Sequence, residues 1–152
     1  MRVISYDIRS TLPMGNNKAV ESLDALLAQA DFVTLHVPET PQTRRMIGKD
    51  EIAKMRDGAY LLNLSRGTVV DLDALAAAIQ SKKLGGAALD VYPEEPETNS
   101  DGFTSVVRGL PNVVLTPHVA SATIETRSAM TRIVVDNVLA FARGEALPTQ
   151  VV

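Results

Sequence analysis

Five places along the chain carry side chains with chemistry to offer, and each follows a short apolar run. Asp7 closes residues 2–6. An acid at such a strand end can accept hydrogen bonds from the ribose hydroxyls of a dinucleotide, and its charge would repel a 2′-phosphate, favouring NAD over NADP. Arg9 nearby blurs that preference, and a lone strand-end Asp is more commonly a turn or cap residue. Arg66, in Ser65-Arg66-Gly67, offers a planar fork of donors suited to a carboxylate. An isolated Ser-Arg-Gly is more often a surface turn. Glu94 and Glu95 stand stiffly between Pro93 and Pro96, where a solvated acidic loop is the commoner case. The two histidines, His36 and His118, each follow a strand, and nothing local ranks one over the other. A His paired with a carboxylate has its pKa raised and can act as an acid near neutral pH; a structural, hydrogen-bonded His is the plainer account. The set says more than its parts. An Arg, a Glu and a His after three different strands are the equipment for reducing a 2-oxo acid. The Arg holds the carboxylate and polarises the carbonyl. The His gives a proton to the carbonyl oxygen as hydride arrives, and the Glu orients the His and raises its pKa.

Two periodicities supply the elements that must position these groups. Residues 2–6, 32–37, 59–64, 86–91 and 112–116 read as strands. Between them, Leu23, Leu26, Leu27 and Ala30 recur at helical spacing, and residues 49–55 form a short helix ended by Asp57-Gly58. Leu72, Leu75, Ala76 and Ile79 make another apolar stripe, with Asp71 as its N-cap. Met130, Ile133, Val134, Asn137, Val138 and Phe141 lie along one face of a long helix closed by Gly144. Strands alternating with helices predict a doubly wound α/β fold with a parallel sheet. Residues 92–111, with three prolines and two glycines, read as a long loop. A loop of that length is expected to be functional.

Composition narrows the partners. The 152 residues carry 15 basic and 18 acidic side chains, a formal net charge of −3, no Cys and no Trp. There is no basic footprint for nucleic acid or an anionic membrane. Without Cys there are no disulfides, thiolate metal sites or thiol nucleophiles. No apolar run approaches the roughly 20 residues that span a bilayer, and residues 1–7 lack the apolar core of a signal peptide. The expectation is a cytoplasmic protein with no metal, no nucleic-acid partner and no membrane partner.

Four segments make the sequence resemble the D-isomer-specific 2-hydroxyacid dehydrogenase family: 31–38 (DFVTLHVP), 61–71 (LLNLSRGTVVD), 85–96 (GGAALDVYPEEP) and 112–118 (NVVLTPH). They stand in the family's order and spacing across essentially the whole chain. The resemblance implies an NAD-dependent oxidoreductase with Arg66 as the catalytic Arg, Glu95 rather than Glu94 as the catalytic Glu, and His118 as the catalytic His. It places Asp90 near the nicotinamide amide and Asp7 on the ribose. It puts His36, Val37 and Pro38 along the adenosine and pyrophosphate side, with Thr43 a nearby cofactor contact. Residues 6–16 and 95–105 resemble the branch that converts 3-phosphoglycerate to 3-phosphohydroxypyruvate in serine biosynthesis. Residues 119–130 look more like the glyoxylate and hydroxypyruvate reductase branch. The family also includes NAD-binding corepressors that retain the same trio, and a non-functional remnant is a third reading. A homodimer is expected from the family.

The sequence departs from the family in length, which is about half, and in lacking a G-x-G-x-x-G turn. That turn supplies the backbone N–H groups that hold a pyrophosphate. Ala120 and Ser121 stand where many phosphoglycerate-oxidising relatives have two glycines. The fold implied is an incomplete Rossmann-type sheet lacking its first strand, with inner edges left open. Residues 1–121 are expected to form a partial NAD-binding domain. Residues 122–152 would be a helix and tail that pack on a substrate domain.

Overall fold

The structure is a computed structural model and describes residues 1–9, 15–96, 98, 102–119 and 121–149. It divides into two compact units, Met1–Thr116 and Pro117–Val152.

In the first unit β1 (Val3–Ser5) pairs with β2 (Asn17–Ala19), and β3 (Phe32–Leu35), β4 (Ala59–Asn63), β5 (Leu84–Leu89) and β6 (Val113–Leu115) pair in that order. Every pairing is parallel. Helices α1 (Leu23–Leu27), α2 (Lys49–Lys54) and α3 (Leu72–Gln80) connect the strands, with a short 3₁₀ turn at Gly67–Val69. Period-two alternation sets the burial: Val33 and Leu35 are buried while Phe32 and Thr34 are exposed. The buried face forms one core with the helices, in which Leu27, Ile52, Leu75 and Ile79 join Val33, Leu35, Leu61 and Leu89. On the other face the Phe32 and Tyr60 rings stack with centroids 5.1 Å apart, and Val114 is exposed. Asp71 caps α3 as the sequence suggests, its carboxylate accepting from the Asp73 and Ala74 amides. The two sheets are not hydrogen-bonded to each other. Among the described residues, β1 and β3 therefore each keep an open edge, as the missing-strand reading anticipates.

Two local features differ from the sequence reading. Strand β2 was not foreseen. Its three residues are Asn, Lys and Ala, with no buried residue, so backbone pairing to β1 holds it without any apolar alternation to betray it. Strand β5 begins two residues before the expected 86–91 run and ends two residues before that run does, so both Gly85 and Gly86 lie inside it. A Cβ on Gly86 would stand 2.2 Å from the Asn112 carbonyl oxygen, and one on Gly85 would stand 2.5 Å from that of Gly58. Close backbone approach, not turn geometry, selects these glycines.

The second unit is built around α4 (Ile124–Ala142), capped by Thr123, whose hydroxyl accepts from the Thr126 amide. Gly144 follows with φ 69°. The predicted stripe is present, but Met130, Ile133, Val134, Val138 and Phe141 are all exposed. Among the described residues no helix is long and apolar enough to cross a membrane.

Candidate active site

Strand register brings the candidate groups of the first unit to one edge. Leu35 is paired with Asn63, Asn63 with Leu89 and Leu89 with Leu115. Because the strands are parallel, the next residues, His36, Leu64, Asp90 and Thr116, leave the sheet at its carboxyl edge. Ligands of open α/β sheets bind at that edge.

Asn63 is wholly buried, and a buried amide is stable only when it is hydrogen-bonded. Its Oδ1 accepts from the Ser65 amide (3.1 Å) and the Ser65 hydroxyl (2.9 Å), and its Nδ2 donates to the Arg66 carbonyl (2.9 Å). This one side chain folds the turn that presents Arg66. The guanidinium is exposed, with Nη1 donating to the Ser65 carbonyl at 2.8 Å. The sequence reading passed over Asn63. The available signal was a polar residue inside the apolar run 59–64. Beside Arg66, Gly67 packs directly on the backbone of the next loop. A Cβ there would stand 1.9 Å from the Tyr92 carbonyl carbon and 2.1 Å from its oxygen. The Arg66 turn and the loop carrying Glu95 are therefore in contact.

Asp90 is 2% exposed, and its Oδ1 accepts from the Thr116 hydroxyl. Glu95 is exposed, and its Oε1 accepts from the Tyr92 amide at 3.1 Å. The buried Tyr92 hydroxyl lies 3.0 Å from the Leu89 carbonyl oxygen and 2.8 Å from that of Thr116. Burial pushes the Tyr92 phenol pKa up. The Asp90 and Glu95 carboxylates push the same way. Phe103 packs edge-on to the Tyr92 ring and Val107 is wholly buried, so part of the long loop is anchored on the core.

The remaining candidates are placed as follows. His36 is exposed, with Nε2 3.0 Å from the Thr34 hydroxyl. Val37 and Pro38 follow it, and the Thr43 hydroxyl donates to the Pro38 carbonyl at 2.7 Å, which closes this turn. Asp7 is exposed beyond β1, in the two-stranded sheet, and its Oδ1 accepts from the Arg9 amide at 2.8 Å. That is the local turn bond expected of a strand-end Asp. His118 belongs to the second unit and is exposed. Its φ of 53° lies in the left-handed region, which costs a non-glycine residue roughly 1–3 kcal/mol and which Arg45, Lys82 and Asn112 also adopt. Residues 10–14, 97, 99–101 and 120, which belong to three of the resembling segments, lie outside the described residues. Among the described residues no group of three His, Asp or Glu side chains converges to hold a metal ion.

The donor set suits a dinucleotide. It has a carboxylate beyond β1, a polar turn after β3 and a buried carboxylate at the end of β5.

Comparison with known proteins agrees. The profile of the family described as D-isomer specific 2-hydroxyacid dehydrogenase, NAD binding domain, matches residues 1–120. D-3-phosphoglycerate dehydrogenase of Escherichia coli (strain K12) is 52% identical over 127 residues, covering 84% of this chain and 31% of that enzyme. A glyoxylate reductase from Paecilomyes thermophila is 37% identical with a TM-score of 0.80, covering 99% of this chain and 45% of that one. D-lactate dehydrogenase with NAD+ from Lactobacillus jensenii is 29% identical with a TM-score of 0.82, covering 99% and 48%. The chain thus spans about a third of the length of the curated relative and under half of each solved chain. Strand order, the carboxyl-edge residues and these matches lead to one assignment: the chain belongs to the D-isomer-specific 2-hydroxyacid dehydrogenase family, as its NAD-binding domain.

Proposed function

We propose that this chain supplies the NAD-binding and catalytic portion of a dehydrogenase that interconverts 3-phosphoglycerate and 3-phosphohydroxypyruvate. The observation that carries this reading is the aligned row Leu35–Asn63–Leu89–Leu115, which delivers His36, the Arg66 turn, Asp90 and Thr116 to one sheet edge. The similarity to the Escherichia coli enzyme supports the substrate. Arg66 binds the substrate carboxylate through paired charge-assisted hydrogen bonds and polarises the carbonyl. His118 takes the 2-hydroxyl proton in oxidation and returns it in reduction. Glu95 orients His118 and favours its protonated form. Bound NAD would supply the hydride acceptor. Asp7, His36, Val37, Pro38, Thr43 and Asp90 hold it, and Asp7 selects it over NADP. Residues 122–152 pack on a substrate domain, the working enzyme is a homodimer, and it is cytoplasmic.

The 152 residues contain no G-x-G-x-x-G turn, and the isolated chain is expected to show no dehydrogenase activity. The test is an assay of the purified chain with 3-phosphoglycerate and NAD. It is run beside a chimera in which the chain replaces the matching stretch of the Escherichia coli relative. Activity in the chimera alone supports the reading, and turnover by the chain alone, abolished by His118→Ala, overturns the inactivity. A second reading, reduction of glyoxylate or hydroxypyruvate, draws on residues 119–130 and on the likeness to the glyoxylate reductase. A higher kcat/KM of the chimera for those acids with NADH would favour it.

A further inference from the structure

Tyr92 has no part in the chemistry described above, yet its hydroxyl reaches the Thr116 carbonyl just beyond β6 and its backbone amide donates to Glu95. We propose that Tyr92 is a positioning residue that holds the Glu95 carboxylate and the strand end leading to His118 in one arrangement. This rests on the reading of Glu95 and His118 as a catalytic pair.

The argument starts from what a phenylalanine would lack. The ring packs edge-on to Phe103 at 4.6 Å between centroids, and that contact needs no hydroxyl. The hydroxyl is buried, and such a group must find a partner. It lies between two carbonyl oxygens, of Leu89 at 3.0 Å and of Thr116 at 2.8 Å. The Leu89 oxygen already accepts the Thr116 amide at 3.0 Å, as the β5–β6 ladder continues. What the hydroxyl adds is therefore the bond to Thr116. Thr116 is then held at three points: its amide by Leu89, its hydroxyl by Asp90 and its carbonyl by Tyr92. Pro117 follows and offers no N–H of its own. The backbone of the same Tyr92 donates to Glu95 Oε1 at 3.1 Å. A shift of this residue moves the carboxylate and releases the strand end together.

The experiment uses the 152-residue chain itself. It holds two histidines, so two imidazole Hε1 resonances titrate, and His36→Gln assigns them. The His118 midpoint is measured by NMR in the parent, Glu95→Gln, Tyr92→Phe and Tyr60→Phe chains. Tyr92→Phe keeps the ring against Phe103, so the fold is retained. Glu95→Gln is expected to lower the His118 midpoint, because the ionised carboxylate favours imidazolium. Tyr92→Phe is expected to lower it by at least half as much, and Tyr60→Phe to leave it in place. A Tyr92→Phe midpoint equal to the parent's, while Glu95→Gln moves it, overturns the role of Tyr92 and leaves the Glu95–His118 pair standing. A midpoint unmoved by Glu95→Gln overturns the pair, and the Tyr92 role falls with it.

Discussion

Gly67 shows how closely single residues constrain the candidate site. Its missing Cβ leaves room for the Tyr92–Pro93 backbone, which has no rotamer by which to yield. Gly67→Ala should lower stability by about 1–3 kcal/mol, the usual cost of overpacking. A urea midpoint unchanged from the parent would mean that the two turns do not touch in solution. Tyr92 makes a second prediction. Its folded-state pKa is raised, chiefly by burial, so the fold prefers the neutral phenol. Stability from this preference is complete below the unfolded pKa of about 10 and is lost as pH rises toward the folded value. Between about pH 9.5 and 11 the parent's urea midpoint should therefore fall further than that of Tyr92→Phe. Parallel curves would refute this. The Glu94-Glu95 pair can be resolved in the active chimera. Reduction needs protonated His118, so Glu95→Gln should move the high-pH limb of the rate profile to lower pH, and Glu94→Gln should leave it in place. The reverse pattern would exchange their assignments. Of these residues, Arg66, the Glu94-Glu95 pair and the two histidines stood out by type, and the choice of Glu95 and His118 came only from the family resemblance. Asn63 and Tyr92 were not singled out, because only the folded chain shows that their polar groups are buried and which partners they take.

Among the elements, α3 was read from sequence with its cap, since Asp71 directly precedes an apolar stripe at helical spacing. Asp71→Ala removes the acceptor for two orphan amides and should cost about 1 kcal/mol, up to about 2. The Arg45–Asp71 ion pair at 2.9 Å, with Arg45 exposed and Asp71 part-buried, adds little. Thermal unfolding measures the loss, and an unchanged Tm would mean that the cap carries no energetic weight. Strand β2 shows the opposite limit. Three residues with none buried form a strand because β1 offers a parallel edge, and no local pattern encodes that. In α4 the apolar stripe is visible in the sequence, but its exposure within the second unit is not.

At the scale of the molecule, cofactor choice joins several elements. If Asp7 faces the ribose, the active chimera should have a clearly higher kcat/KM for NAD than for NADP. Equal values would mean that Asp7 serves only the Arg9 turn bond seen here. The α/β class, the parallel sheet and the family were readable from the chain alone. They depend on periodicity and on motif order, which are local or one-dimensional. The strand order and the register row Leu35–Asn63–Leu89–Leu115 came only with the folded molecule, because backbone pairing joins residues dozens of positions apart. The same holds for the contact of Gly67 with Tyr92 and for the buried bonds of Asn63 and Tyr92. Burial decides which polar groups must find partners, and only tertiary packing determines which groups are buried.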